Sequence, residues 1–203
     1  MPEIKLSHQA PSKLLLWQLT ESKEELCRIL PENLLAKVNQ YRSPVHQKQF
    51  LAKQILLQRH HLTDKLMYLD SGKPVLTDQT YISISHSNDY VVVALSKQAL
   101  GIDIEIPNPK LESIARRFVR PDDILPENLF RLEQWQWVWT AKESIYKLAG
   151  IPGLSFKNDI KITDLDINTY KGKALLNGSH NIDLYFQRIN KTVLLCQAFY
   201  TDQ

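Results

Sequence analysis

The sequence predicts an α+β fold, with helices and antiparallel strands in alternating blocks rather than a doubly wound parallel sheet. Three observations carry that expectation. Residues 81–85 and Tyr90–Ser96 are strand-like runs separated only by His86-Ser87-Asn88-Asp89, which has the length and polarity of a hairpin turn. Residues 132–149 contain no Pro or Gly and are followed by Gly150 and Pro152, which marks one long helix and its stop signal. Beyond it, four short apolar runs follow one another as a meander, with Asn177-Gly178 supplying one turn.

Taken in order, residues 14–19 form a first strand, a helix follows over 21–30, and Pro31 opens a short helical stretch. Ser43-Pro44 is a helix start, an N-cap residue with proline in the first turn. That helix runs to about His61, with Leu51, Ile55 and Leu62 on one stripe. After the hairpin, Gly101-Ile102-Asp103-Ile104-Glu105 opens the second half as a strand. Pro107, Pro109, Pro121 and Pro126 break up the route to the long helix. The meander is expected at 160–162, 173–176, 182–186 and 193–199. The chain thus divides into halves, 1–100 and 101–203, without a low-complexity tract, an internal sequence repeat or a flexible linker.

Composition narrows the class. A hydrophobic content of 43% and a charged content of 23% describe an ordinary soluble globular chain, long enough at 203 residues for one large domain or two small ones. No apolar run has the length of a membrane span. Pro2, Glu3 and Lys5 lack the apolar core of a secretory signal. Cys27 and Cys196 have no metal-ligand spacing and read as reduced thiols of a cytoplasmic protein. A net charge of +3 is too mild to indicate nucleic acid, yet it allows a local basic surface for an acidic partner.

Two short patterns carry the chemistry. On a strand, Ile102, Ile104 and Ile106 fall on one face while Asp103 and Glu105 share the other. Two neighbouring anions repel unless a cation lies between them, and carboxylate oxygens suit Mg²⁺, which completes its shell with water and phosphate. Alone, such a pair also fits the solvated face of a half-exposed strand. On the long helix, Trp135, Val138, Trp139, Ile145, Tyr146 and Ala149 form a broad apolar face, with Glu143 at its edge and Lys147 one turn later on the same side. Lys142 falls in the middle of that apolar face, where an ammonium is costly unless it meets an anion. His86 reads either as a turn histidine or as half of a Ser-His pair. Adjacent strand residues point oppositely, which argues against Ser85 and His86 acting as nucleophile and base. His60 and His61 end a helix, where positive charge is favoured, and Trp135, Trp137 and Trp139 read as core.

Four blocks in order, Gly72-Lys73-Pro74, Ile84-Ser85-His86-Ser87, the strand from Gly101 to Glu105, and Trp139-Thr140-Ala141-Lys142-Glu143-Ser144-Ile145-Tyr146-Lys147, resemble the 4′-phosphopantetheinyl transferases. The resemblance spans roughly residues 30–155, and the chain length fits the two-halved, single-chain, surfactin-synthetase-activating type rather than the short trimeric type, implying a monomer. It implies two similar α/β halves packed side by side with the active site between them. It implies transfer of the phosphopantetheine arm of coenzyme A to a serine of an apo acyl or peptidyl carrier protein. The carrier could serve lysine, fatty-acid, polyketide or non-ribosomal-peptide biosynthesis. By resemblance, Asp103, Glu105 and Glu143 hold Mg²⁺, and Lys147 and Lys142 stabilise charge on the phosphates. Ser85, His86 and Lys73 contact coenzyme A, and Asp123 stands where relatives carry an acidic residue. Relatives grip the 3′-phosphate with basic residues near the first long helix. Lys37, Arg42, Lys48 and Lys53 compete for that role here, and Lys48, one turn into the helix, is the choice. Glu143 is base, metal ligand or both.

Two other classes use the same residues: a metal-dependent phosphohydrolase or nuclease with water as acceptor, and a non-catalytic carrier-binding module. Intact acids together with Lys147 argue against the second. The run Arg116-Arg117-Phe118-Val119-Arg120 is either a carrier-docking patch or an ordinary helix end with solvated arginines.

Overall fold

Strand Tyr90–Ser96 is buried along nearly its whole length, which requires cover on both faces. In the computed structural model, which describes residues 3–4 and 10–201, it is a central strand of an antiparallel sheet. Numbering elements in chain order, this sheet contains β1 (Glu3–Ile4), β2 (Ser12–Gln18), β5 (Tyr81–Ser87) and β6 (Tyr90–Ser96), in the order β1-β2-β6-β5. Helices α1 (Lys23–Cys27), α2 (Glu32–Val38) and α3 (Pro44–Arg59) follow β2. Leu51, Ile55 and Leu56 of α3 pack with Leu15, Trp17, Val91 and Val93 on one face of the sheet. A small hairpin of β3 (Leu66–Tyr68) and β4 (Pro74–Leu76) lies between α3 and β5.

The second sheet has the order β7-β11-β10-β9-β8, formed by β7 (Leu100–Glu105), β8 (Ile160–Asp166), β9 (Lys171–Leu176), β10 (His180–Arg188) and β11 (Leu194–Tyr200). Helices α4 (Lys110–Phe118) and α5 (Arg131–Ala149) pack on one face through Phe118, Val138, Ala141 and Ile145. Leu16, Val92 and Ala94 of the first sheet share a core with Ile102, Ile104 and Leu195 of the second. The expected α+β class with antiparallel sheets is therefore present. The meander is as expected, and Asn177 and Gly178 both have positive φ, 52° and 70°, in the three-residue turn that joins Leu176 to His180.

Differences are local. β5 continues through His86 and Ser87, paired with Val91 and Tyr90, so the turn is only Asn88-Asp89 and His86 is a strand residue. Helix α4 was hidden by its flanking prolines, although Pro109 stands at its N-cap. Ser43 occupies the N-cap of α3 without a side-chain cap bond, whereas Ser22 and Glu25 form a reciprocal capping box on α1. Helix α5 is not one-sided: Gln136, Thr140, Lys142 and Ser144 are buried with its apolar residues, because β7 and β11 lie on one flank and α4 on the other. It stops as expected, with Gly150 left-handed at φ 62° and its N–H on Tyr146 O. Both cysteines are free thiols, and among the described residues no helix is long and apolar enough to cross a membrane. Pro2 and Lys5 lie outside the described residues.

Candidate active site

β7 is an edge strand, and Gly101 brings it against α5. A Cβ at Gly101 would stand 1.9 Å from Ser144 O and 2.4 Å from Leu148 N. Glycine is thus required for close backbone approach, and that approach puts Asp103 and Glu105 beside the helix residues Trp139, Glu143 and Lys147. Ile102 and Ile104 point the other way and are fully buried.

The β5 edge faces β7 without sharing a backbone ladder. Serine hydroxyls bridge the gap: Ser83 Oγ accepts from Ile102 N at 3.0 Å and Ser87 Oγ from Ile106 N at 3.4 Å. Ser85 donates to Asp103 Oδ1 at 2.8 Å, and Ser87 donates to Glu105 Oε2 at 3.0 Å. From α5, Lys147 Nζ donates to the same Asp103 oxygen at 2.7 Å and to Ser85 Oγ at 2.9 Å. Trp139 Nε1 donates to Glu105 Oε1 at 2.9 Å. Asp103 Oδ2 is buried with no hydrogen-bond partner. Burial, then the Asp103 charge, raises Glu143 to about 7, and the same two causes raise Glu105 to about 7. The cluster therefore holds more negative charge than its one lysine offsets.

Among the described residues, no three His, Cys, Asp or Glu side chains are gathered closely enough to enclose a metal ion as they stand. The residues that could hold one are Asp103, Glu105 and Glu143, by chemistry: an all-oxygen donor set, one orphaned buried oxygen and two carboxyls deprived of counter-charge.

Two cavities flank β4. One, of about 300 Å³, lies between α3, β3 and β5 and presents His46, Gln49, Lys53, Tyr68 and His86. The other, of about 240 Å³, lies between the β3–β4 hairpin and the end of α5 and is lined by Lys73 and Lys147. Gly72, Pro74 and Ile84 belong to both. His86 is on the β5 face opposite Ser85, with its ring 6.3 Å from that of His46. Desolvation, then the charges of Lys147, His46 and Lys53, pushes its pKa down.

Several residues stand elsewhere than sequence reasoning put them. Lys142 is fully buried and paired with Asp123 at 2.6 Å, and it also donates to the carbonyls of Phe118, Phe156 and Ile160. All its donors are used internally, so the expected phosphate contact gives way to a buried ion pair. Asp123 also accepts from Arg120 N and Ile162 N, making it a structural hub rather than a ligand residue. Lys48 lines neither cavity, and the α3 residues that do are His46, Gln49, Phe50 and Lys53, a helical stripe of which sequence reasoning named only Lys53, as one candidate among four. Lys73 is half-buried, donating to Leu148 O at 2.8 Å, and desolvation lowers its pKa. Ser85 is buried against Asp103 and Lys147. Arg120 is committed to Asp122 and to the Lys157 and Asn158 carbonyls, leaving Arg116 and Arg117 as the exposed pair of the basic run.

No family model matches the chain. Curated proteins do. It is 29% identical over 160 residues to the 4′-phosphopantetheinyl transferase HetI of Nostoc sp. (strain PCC 7120 / SAG 25.82 / UTEX 2576), covering 68% of this chain and 67% of that protein. It is 37% identical over 92 residues to the 4′-phosphopantetheinyl transferase psf-1 of Bacillus pumilus, covering 42% of this chain and 39% of the relative. Over these stretches the chain is similar to members of the 4′-phosphopantetheinyl transferase superfamily. A third superfamily member, the 4′-phosphopantetheinyl transferase Sfp of Bacillus subtilis (strain 168), is 35% identical over 94 residues, covering 43% of this chain and 42% of the relative. The match thus spans two thirds of the Nostoc protein but only about two fifths of the two Bacillus proteins in the superfamily.

Proposed function

We propose that this chain transfers the 4′-phosphopantetheine arm of coenzyme A to a serine hydroxyl of an apo acyl or peptidyl carrier protein, releasing 3′,5′-ADP. One observation carries the reading: Lys147, Asp103 and Ser85 meet within 3 Å contacts of one another, drawing α5, β7 and β5 into one charged cluster beside two cavities. The relatives' shared transferase name supports it, and neither the hydrolase nor the non-catalytic alternative has comparable support. On this reading the enzyme is a cytoplasmic monomer of the two-halved type, with residues 1–100 and 101–203 as similar halves and the active site between them.

The serine Oγ attacks the β-phosphorus of coenzyme A, forming the new phosphoester, while the bond to the 3′,5′-ADP oxygen breaks. Glu143 takes the hydroxyl proton: it makes no hydrogen bond among the described residues, and burial holds its pKa at about 7, suited to accepting a proton near neutral pH. Lys147 stabilises charge on the transferred phosphoryl group and departing diphosphate. His86, Lys53 and His46 offer donors to the nucleotide phosphates, and Phe50 and Tyr68 offer ring faces beside them. Lys73 spends one of its three donors on Leu148 O and keeps the others for the cavity it lines. Asp103, Glu105 and Glu143 would hold Mg²⁺. When bound, the ion neutralises and aligns the diphosphate oxygens. The carrier, acidic near its serine, docks beside the exposed Arg116 and Arg117.

Incubation with coenzyme A, Mg²⁺ and an apo carrier protein, followed by mass spectrometry of the carrier, tests the reading. A gain of one phosphopantetheine is expected. Unmodified fatty-acid, polyketide and peptidyl carriers, with wild-type protein folded, would overturn it.

A further inference from the structure

Asp103 and Glu105 are each held from two sides. Asp103 Oδ1 accepts from Ser85 of β5 and Lys147 of α5, and Glu105 accepts from Ser87 of β5 and Trp139 of α5. The helix donors belong to the same half as the acids. The serines come from the other sheet, eighteen positions earlier in each case, across a seam that lacks a backbone ladder. Without the serines each carboxylate would keep one anchor and could rotate about it.

We propose that Ser85 and Ser87 are positioning residues: they lock Asp103 and Glu105 from across the seam, so that Asp103 Oδ2 and the Glu143 carboxylate remain the unclaimed oxygens offered to a divalent cation. The inference rests on the metal reading given above. Its distinctive content is that the affinity of an acidic site carried by β7 and α5 is set by hydroxyls of β5.

The third seam serine is an internal control. Ser83 accepts only from the Ile102 backbone and touches neither carboxylate. A purely structural seam would make all three serines alike, costing stability and nothing else. Positioning separates them.

Calorimetric titration of the full chain with Mg²⁺ alone, for wild type, Ser83→Ala, Ser85→Ala, Ser87→Ala and Ser87→Thr, makes the test, with melting temperature recorded for each. Ser85→Ala and Ser87→Ala are expected to bind Mg²⁺ about 10-fold more weakly, the usual effect of removing a hydrogen-bond partner of a metal ligand. Ser87→Thr, which keeps the hydroxyl, should recover most of that loss. Ser83→Ala should melt earlier with its Mg²⁺ affinity unchanged. If Ser85→Ala and Ser87→Ala bind Mg²⁺ as Ser83→Ala does, or if threonine rescues nothing, the positioning role is wrong. Transfer by the wild type is scored separately. Transfer with equal Mg²⁺ affinity across the series removes only the positioning role, whereas a wild type that neither takes up Mg²⁺ nor modifies a carrier removes the proposed function with it.

Discussion

Glu143 and Lys142 are neighbours in sequence with opposite fates. Glu143 is a carboxyl with no hydrogen bond among the described residues, whereas every donor of Lys142 is satisfied inside the protein. Glu143→Gln keeps the shape and removes the proposed base, so kcat for carrier modification is expected to fall by about 10²-fold or more, with no loss of melting temperature. Lys142→Met should do the reverse in kind, leaving Asp123 buried without its cation. Breaking such a pair from one side costs about 3–5 kcal/mol, and thermal denaturation should show it as a large loss of stability. The sequence already flagged Lys142 as a misplaced charge. What it could not supply was the partner set, because Phe118, Asp123, Phe156 and Ile160 are brought to that ammonium only by the packing of α4, β8 and the loops on α5. Lys53 was among the basic candidates and was passed over for Lys48 for a related reason. Nothing in an isolated helix tells which stripe of α3 faces His86.

At the scale of elements, β7 against α5 is the contact on which the site depends, and Gly101 permits it. Gly101→Ala would drive a methyl group into Ser144 O, so strand and helix must separate. The expected result is a lowered melting temperature together with loss of transfer, even though residue 101 touches no ligand. Retained activity with an unaltered melt would mean that the two elements pack more loosely than their backbones indicate. Both elements were legible in the sequence, one from alternation and the other from its uninterrupted length and Gly150 stop. Less legible were the nine residues of α4, boxed in by prolines of which one is actually its N-cap, and the β3–β4 hairpin, whose three-residue strands are too short to alternate. Gly72 and Pro74 of that hairpin, with Ile84 of β5, line both cavities, so the least legible stretch of backbone also borders the site.

For the whole molecule, charge without compensation predicts a pH response. Glu105 and Glu143 have folded pKa values raised from 4.5 to about 7, chiefly by burial. Between those values the folded chain binds more protons than the unfolded chain, so stability falls as pH rises from about 4.5 to 7 and levels off above. Metal-free protein should therefore melt lower at pH 8 than at pH 5.5, and Mg²⁺ should raise the melting temperature more at pH 8. A metal-free melting temperature that climbs over this window would show that other groups dominate. Charge also bears on the partner. With Arg120 tied down, the proposed docking contribution falls to Arg116 and Arg117, screened over a Debye length of about 8 Å at physiological salt. Added salt should raise KM for the carrier with little change in kcat, and Arg116→Glu with Arg117→Glu should flatten that dependence. An unchanged carrier KM in the double variant would free those arginines of any docking role.

The way β5 meets β7 has one more consequence. Two edge strands ordinarily advertise rows of unpaired N–H groups that recruit other chains and seed aggregates. Here the outward N–H groups of Ile102 and Ile106 are already occupied by Ser83 and Ser87 hydroxyls. A hydroxyl accepts the bond but cannot propagate a ladder, so it ends the sheet chemically where a strand would have extended it. The same short run of serines that borders the acidic cluster thus also ends both sheets, and mutations that erode it are expected to open the β5 and β7 edges to pairing with other chains.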